Sequence, residues 1–148
     1  MRILAVDYGD ARTGLAICDE GERLASPVGV LFEKNMENTI QKAAEAAREN
    51  NASQIVVGYP VNMNGTLGPR AELCADFARL LGTAAALPVV LWDERSSTIS
   101  AARHLNATNT RGKKRKNIID AVAAVIILES YLAYRKNHPD LAPAEGEE

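Results

Sequence analysis

The chain of 148 residues is 47% hydrophobic and 24% charged, the balance of an ordinary globular protein and the length of one domain with one core. Two cysteines, Cys18 and Cys74, exclude a disulfide framework and point to a reducing compartment, the cytoplasm. The net charge of −2 excludes a uniformly basic nucleic-acid coat, and no apolar run predicts an export signal or a membrane span.

The charge is unevenly spread. Between Arg95 and Ile119 stand seven of the 17 Lys and Arg and none of the 19 acids. A local basic segment on an otherwise acidic chain suits a phosphate-binding patch, although a solvated loop has the same composition.

In chain order, Ile3-Leu4-Ala5-Val6 is apolar at every position and reads as a central strand buried on both faces, ending at Asp7. Gly9-Asp10 and Gly14 bracket a turn, and Leu15 to Cys18 completes a hairpin. Val28 to Phe32 is the third strand. Met36 to Asn50 switches to helical spacing, and Asn50-Asn51 stops it. Gln54 to Gly58 is a buried strand, followed by the Pro-, Asn- and Gly-rich loop 59–68. Pro69 opens a helix to about Leu81. Val89 to Trp92 is the last strand. Ser96 or Ser97 caps a helix to about Leu105, residues 105–116 form a mobile basic loop, and Ile118 to Tyr134 is the last helix. The order βββαβαβα, with the extra helix from Ser96 or Ser97 before the last, predicts an antiparallel trio followed by two parallel crossovers. Residues 1–137 are expected to form one domain and residues 138–148 a disordered acidic tail.

Three acids stand out. Asp7 ends a buried central strand, where a carboxylate is costly unless it is paired or bound to a metal, and where ligands sit in α/β sheets. Asp93-Glu94-Arg95 follows the last strand; acids there also suit a helix N-terminus. Asp120 is the sole polar residue between Ile118 and Leu128. If Asn117 caps the helix, Asp120 falls where an acid answers a capping residue. Phosphodiester hydrolysis needs an activated water and charge relief on phosphate, which two divalent ions held by hard oxygen ligands supply. No histidine or cysteine cluster suits zinc. Asn62 and Asn64, in the loop after the fourth strand, offer amides to phosphate or a base edge, or simply build a turn.

Four blocks in order resemble the YqgF family, also called RuvX, of pre-16S rRNA nucleases and Holliday junction resolvase-like proteins. They are Ala5-Val6-Asp7-Tyr8-Gly9 with Arg12, Gly14, Leu15 and Ala16; residues 57–66, Val57 to Thr66; Asp93-Glu94-Arg95-Ser96-Ser97-Thr98; and Asn117-Ile118-Ile119-Asp120 with Ala123-Ala124 and Ile126-Ile127-Leu128. The resemblance covers about residues 2–134. It implies an RNase H-like α/β fold, with a five-stranded mixed sheet in the order 3-2-1-4-5. It also implies a catalytic, metal-holding set at Asp7, Glu94 and Asp120, with Mg²⁺ or Mn²⁺ as cofactor. Arg12, Asn62, Asn64, Arg95, Arg111, Lys113, Lys114, Arg115 and Lys116 are then the expected nucleic-acid contacts. The partner is structured RNA, a ribosomal RNA precursor on ribosomal particles, or branched DNA, and the chain acts as a monomer or homodimer. Three positions depart from the family pattern: Asp10-Ala11 replaces Thr-Lys, Asn64 replaces Asp, and Ile119 replaces Val. Two other readings remain at this stage. A sugar-kinase-like phosphotransferase shares the Asp7-Tyr8-Gly9 turn but needs two such domains, and a non-catalytic assembly factor needs no acid set.

Overall fold

The central strand is set by its sequence. In the computed structural model, which describes residues 1–62, 64–93 and 112–138 except for the side chains of 112–120, β1 (Ile3–Asp7) is buried from Ile3 to Val6. It lies in the middle of a five-stranded sheet in the order β3-β2-β1-β4-β5. Strand β2 (Arg12–Cys18) returns antiparallel to it, with Asp7 opposite Gly14. Strand β3 (Ala25–Phe32) continues the meander and pairs across a register shift at Leu15/Ala16. Strands β4 (Gln54–Tyr59) and β5 (Val89–Asp93) add in parallel on the other side. β4 is also buried on both faces, as expected of a strand covered by helices above and below.

Side chains alternate across β1, so the sheet has two cores. Leu4, Val6 and Tyr8 face α1 (Met36–Glu49) and α2 (Pro69–Ala85), where Ile40, Ala43, Ala47, Cys74, Phe77 and Leu81 pack. Ile3 and Ala5 face α3 (Gly112–Asn137), packed with Cys18, Ala124, Ile127, Leu128 and Tyr131. Asp7 follows the parity of Ile3 and Ala5, which assigns it to the α3 side.

Local signals fix the helix ends. The Asn35 side chain caps α1 by accepting from the Asn38 amide at 3.0 Å, and Asn51 takes a left-handed φ of 55° just past the last turn. Pro69 opens α2 as its composition predicts. That helix runs past Leu81 to Ala85, because Gly82 serves as a contact point within it. A Cβ there would stand 3.1 Å from Val89 Cγ2, so the missing side chain lets α2 approach β5.

The largest correction concerns the last helix. It begins at Gly112, six residues before the expected start at Ile118. Lys113, Lys114, Arg115 and Lys116 therefore lie on helical backbone and not in a mobile loop, and Asn117 is interior, not a cap. Lys and Arg are good helix formers, so an uninterrupted basic run extends a helix as readily as it solvates a loop. The helix expected from Ser96 to Leu105, and the tail beyond His138, fall outside the described residues. Among the described residues no helix is long and apolar enough to cross a membrane.

Candidate functional site

The site is built at the ends of the parallel strands. Asp7 closes β1, Tyr59 closes β4 and Asp93 closes β5, with Tyr59 and Asp93 in register. The chain leaves β1 through a turn that only glycine can make at its second position. A Cβ on Gly9 would fall 2.1 Å from the Arg12 carbonyl oxygen. The Gly9 amide donates to Thr13 Oγ1 at 3.3 Å, and Thr13 is fully buried. The turn holds the backbone that follows Asp7 and leads to Arg12, opposite Phe32 at the start of β2.

Helix α3 carries the backbone of the second expected acid, Asp120. Tyr131 Oη donates to Gln54 Oε1 at 3.3 Å, and Gln54 pairs in register with Ile3. The same turn of the helix meets β5, where Trp92 Nε1 donates to Ser130 Oγ at 3.1 Å and the Trp92 ring packs edge-on against Tyr131. The far end of α3 is fixed by a two-pronged ion pair, in which Arg135 Nε and Nη2 donate to Glu22 Oε1 and Oε2 at 2.8 and 3.1 Å. That pairing holds the Glu22 carboxyl below its ordinary range, chiefly through the Arg135 hydrogen bond.

Glu94, Arg95 and Arg111 lie outside the described residues, as do the side chains of Asp120, Lys113, Lys114, Arg115 and Lys116. No trio of His, Cys, Asp or Glu able to hold a metal occurs among the described residues, and of the expected carboxylate set only the Asp7 side chain belongs to them. Asn62 and Asn64 spend their side chains on their own turn. Asn62 Nδ2 donates to Thr66 Oγ1 at 3.0 Å, and Asn64 Oδ1 accepts from the Thr66 amide and hydroxyl at 3.1 and 2.7 Å. Gly65 supplies the positive φ of 86° that the turn needs.

Sequence reasoning passed over Arg70. From the first turn of α2 its guanidinium reaches the same strand end from the opposite face. Nη2 donates to the Tyr8 carbonyl and Nη1 to Asp10 Oδ1. Its Cζ stands 5.2 Å from the centre of the Tyr8 ring, which is itself stacked on Phe77 at 4.2 Å. Burial pushes the Tyr8 hydroxyl pKa up, and the nearby Arg70 charge opposes that shift. A surface hollow lined by Glu22, Arg23, Glu129 and Arg135 lies at the other end of the sheet and takes no part in this arrangement.

The sheet order, its two helical layers and the acid at the end of its central strand define the RNase H-like class of fold. Solved structures agree: Thermus thermophilus RuvC in complex with a Holliday junction substrate superimposes with a TM-score of 0.59, covering 93% of this chain and 96% of that one at 12% identity. The chain belongs to the RuvX family, whose model, described as a Holliday junction resolvase, matches residues 1–134. A Geobacillus sp. protein named "Putative pre-16S rRNA nuclease" is 45% identical over 134 residues, 89% of this chain and 97% of that protein. A Halothermothrix orenii protein of the same name is 43% identical over 135 residues, 91% of this chain and 96% of that protein.

Proposed function

We propose that the protein is a cytoplasmic, metal-dependent endonuclease that hydrolyses phosphodiester bonds in structured nucleic acid and trims the 5′ end of pre-16S rRNA during ribosome biogenesis. The observation that carries this reading is Asp7 at the end of the buried central strand. Relatives at 43–45% identity bear the pre-16S rRNA nuclease name, which favours the RNA substrate.

Asp7, Glu94 and Asp120 would hold Mg²⁺ or Mn²⁺. The donors are all carboxylates, and hard oxygens suit those ions. A bound divalent ion supplies an activated water and offsets charge building on the phosphate. The chain's own part is orientation. The Gly9 turn and the two flanking cores fix Asp7, while the Arg135–Glu22 pair and the Ala124–Tyr131 stripe fix α3. Arg12, Arg95, Arg111 and Lys113 to Lys116 hold phosphates on either side of the cut. The Asn62–Thr66 turn, closed on itself, offers shape and backbone groups to the substrate.

A second reading, cleavage of a four-way DNA junction, is favoured by the family description. One assay decides between them. A precursor rRNA 5′ leader and a four-way junction are incubated with Mg²⁺, Mn²⁺ or chelator, beside Asp7→Asn. Metal-dependent cutting of the leader, lost in Asp7→Asn, is expected. Cutting of the junction alone assigns the DNA reading. Binding without cutting of either substrate points to a non-catalytic assembly factor, and full activity in Asp7→Asn overturns the carboxylate site.

A further inference from the structure

Arg70 is an unusual choice for its place. A cation in the first turn of a helix meets the positive end of the helix dipole; α2 lacks a side-chain cap, and Glu72 is the acid of that turn. Three contacts from the β1 end hold the guanidinium instead: the Tyr8 ring, the Tyr8 carbonyl and the Asp10 carboxylate. The first two are framework. Tyr8 is buried and stacked on Phe77, so the ring and carbonyl form a fixed seat for one side of the guanidinium. The third is different. The Asp10 side chain is 85% exposed, on a turn open to solvent, and an ion pair in water is worth little. A planar guanidinium that donates through one prong to framework and through the other to an exposed, exchangeable carboxylate has the geometry of an anion site filled by the protein's own anion. It stands one residue past Asp7, on the other face of the strand end, so a backbone crossing that end passes both.

We infer that Arg70 binds a substrate phosphate flanking the one held at Asp7, and that Asp10 occupies its guanidinium until that phosphate displaces it. The inference rests on the nuclease reading and extends it by one contact and one competitor. Asp10 is thereby a tuner of affinity: substrate must exchange one anion for another at Arg70, which lowers affinity without touching the cleavage chemistry.

The test is binding of a structured RNA leader to the full chain carrying Asp7→Asn, so that substrate survives, across 50–200 mM salt. Arg70→Ala is expected to weaken binding about tenfold and to lower the slope of log K against log salt by about one. Arg70→Lys recovers part of the affinity, lacking the two-pronged fork. Asp10→Asn is expected to tighten binding, and to do so only while Arg70 is present; in Asp10→Asn/Arg70→Ala the gain disappears. An equal gain with and without Arg70 would show a general charge effect and overturn the inference, as would a salt slope that ignores Arg70. If Arg70→Ala unfolds at the assay temperature, Asp10→Asn and Arg70→Lys decide, and unchanged affinity in both overturns it. Failure of every variant, the Asp7→Asn parent included, to bind RNA would instead overturn the RNA-substrate reading on which the inference rests.

Discussion

Asp7, proposed above to hold the metal, is expected to contribute little to the fold that displays it. It ends β1 and is only partly buried, whereas Ile3 to Val6 are fully enclosed. Replacing its carboxylate by an amide of the same shape leaves the cores and the Gly9 turn intact. Asp7→Asn is therefore expected to melt within about 0.5 kcal/mol of the parent in urea while losing cleavage. A large loss of stability would make Asp7 a structural acid. The residue is legible in sequence because a lone carboxylate after four apolar residues has few other reasons to be there. Arg70 is not legible. An arginine after Pro69 reads as surface charge, and its significance comes from Tyr8 and Asp10, some sixty residues away in the chain. Asn64 sits between these cases. Its loop stands out by its Pro, Asn and Gly content, and the hydrogen bonds to Thr66 show the Asn64 side chain building the turn.

Among the elements, the strands were legible from apolar runs and the order of the helices between them, while two helix ends were not. Gly82 looks like a stop signal, and only its contact with Val89 reveals that it is a place of close approach. The basic run 113–116 looks like a loop because it is polar, but polarity does not oppose helix. Its placement on α3 changes what it can do. On helical backbone, neighbouring positions are spaced 1.5 Å along the axis and project around it, so four consecutive cations spread over more than one face. Only some can reach one phosphate backbone. Neutralising Lys113, Lys114, Arg115 and Lys116 together is expected to weaken RNA binding and flatten its salt dependence by fewer than four units. Single replacements should separate them into strong and silent positions. A uniform contribution from all four would argue for an extended segment in the complex.

At the scale of the molecule, α3 acts as a beam laid across the sheet. Its C-terminal end is bolted by Arg135 to Glu22 in the turn between β2 and β3. The bolt has a pH signature. Glu22 titrates below its ordinary value of 4.5 because Arg135 holds its charged form. A depressed acid lends stability that is present above the unfolded-state value and is lost as pH falls through the folded one. Glu22→Gln is expected to cost about 1 kcal/mol at pH 7 and to converge with the parent as pH falls below 4.5 and through the lowered folded-state value. A constant difference across that range would mean that the pair contributes by packing alone.

The two faces of the sheet also carry one thiol each. Cys18 is sealed in the α3 layer and Cys74 in the α2 layer, and neither forms a disulfide. Burial raises the Cys18 pKa, which further suppresses its thiolate. Neither sulfur can meet an alkylating reagent until its own layer lifts, so the wild-type chain contains a separate clock for each side. Timing their modification by mass spectrometry under native conditions would rank the layers by opening free energy. The α3 side is expected to open first, since among the described residues α3 alone covers its face, whereas α1 and α2 brace one another on the other side. Equal rates for both thiols would mean that the sheet and its three helices come apart in one step.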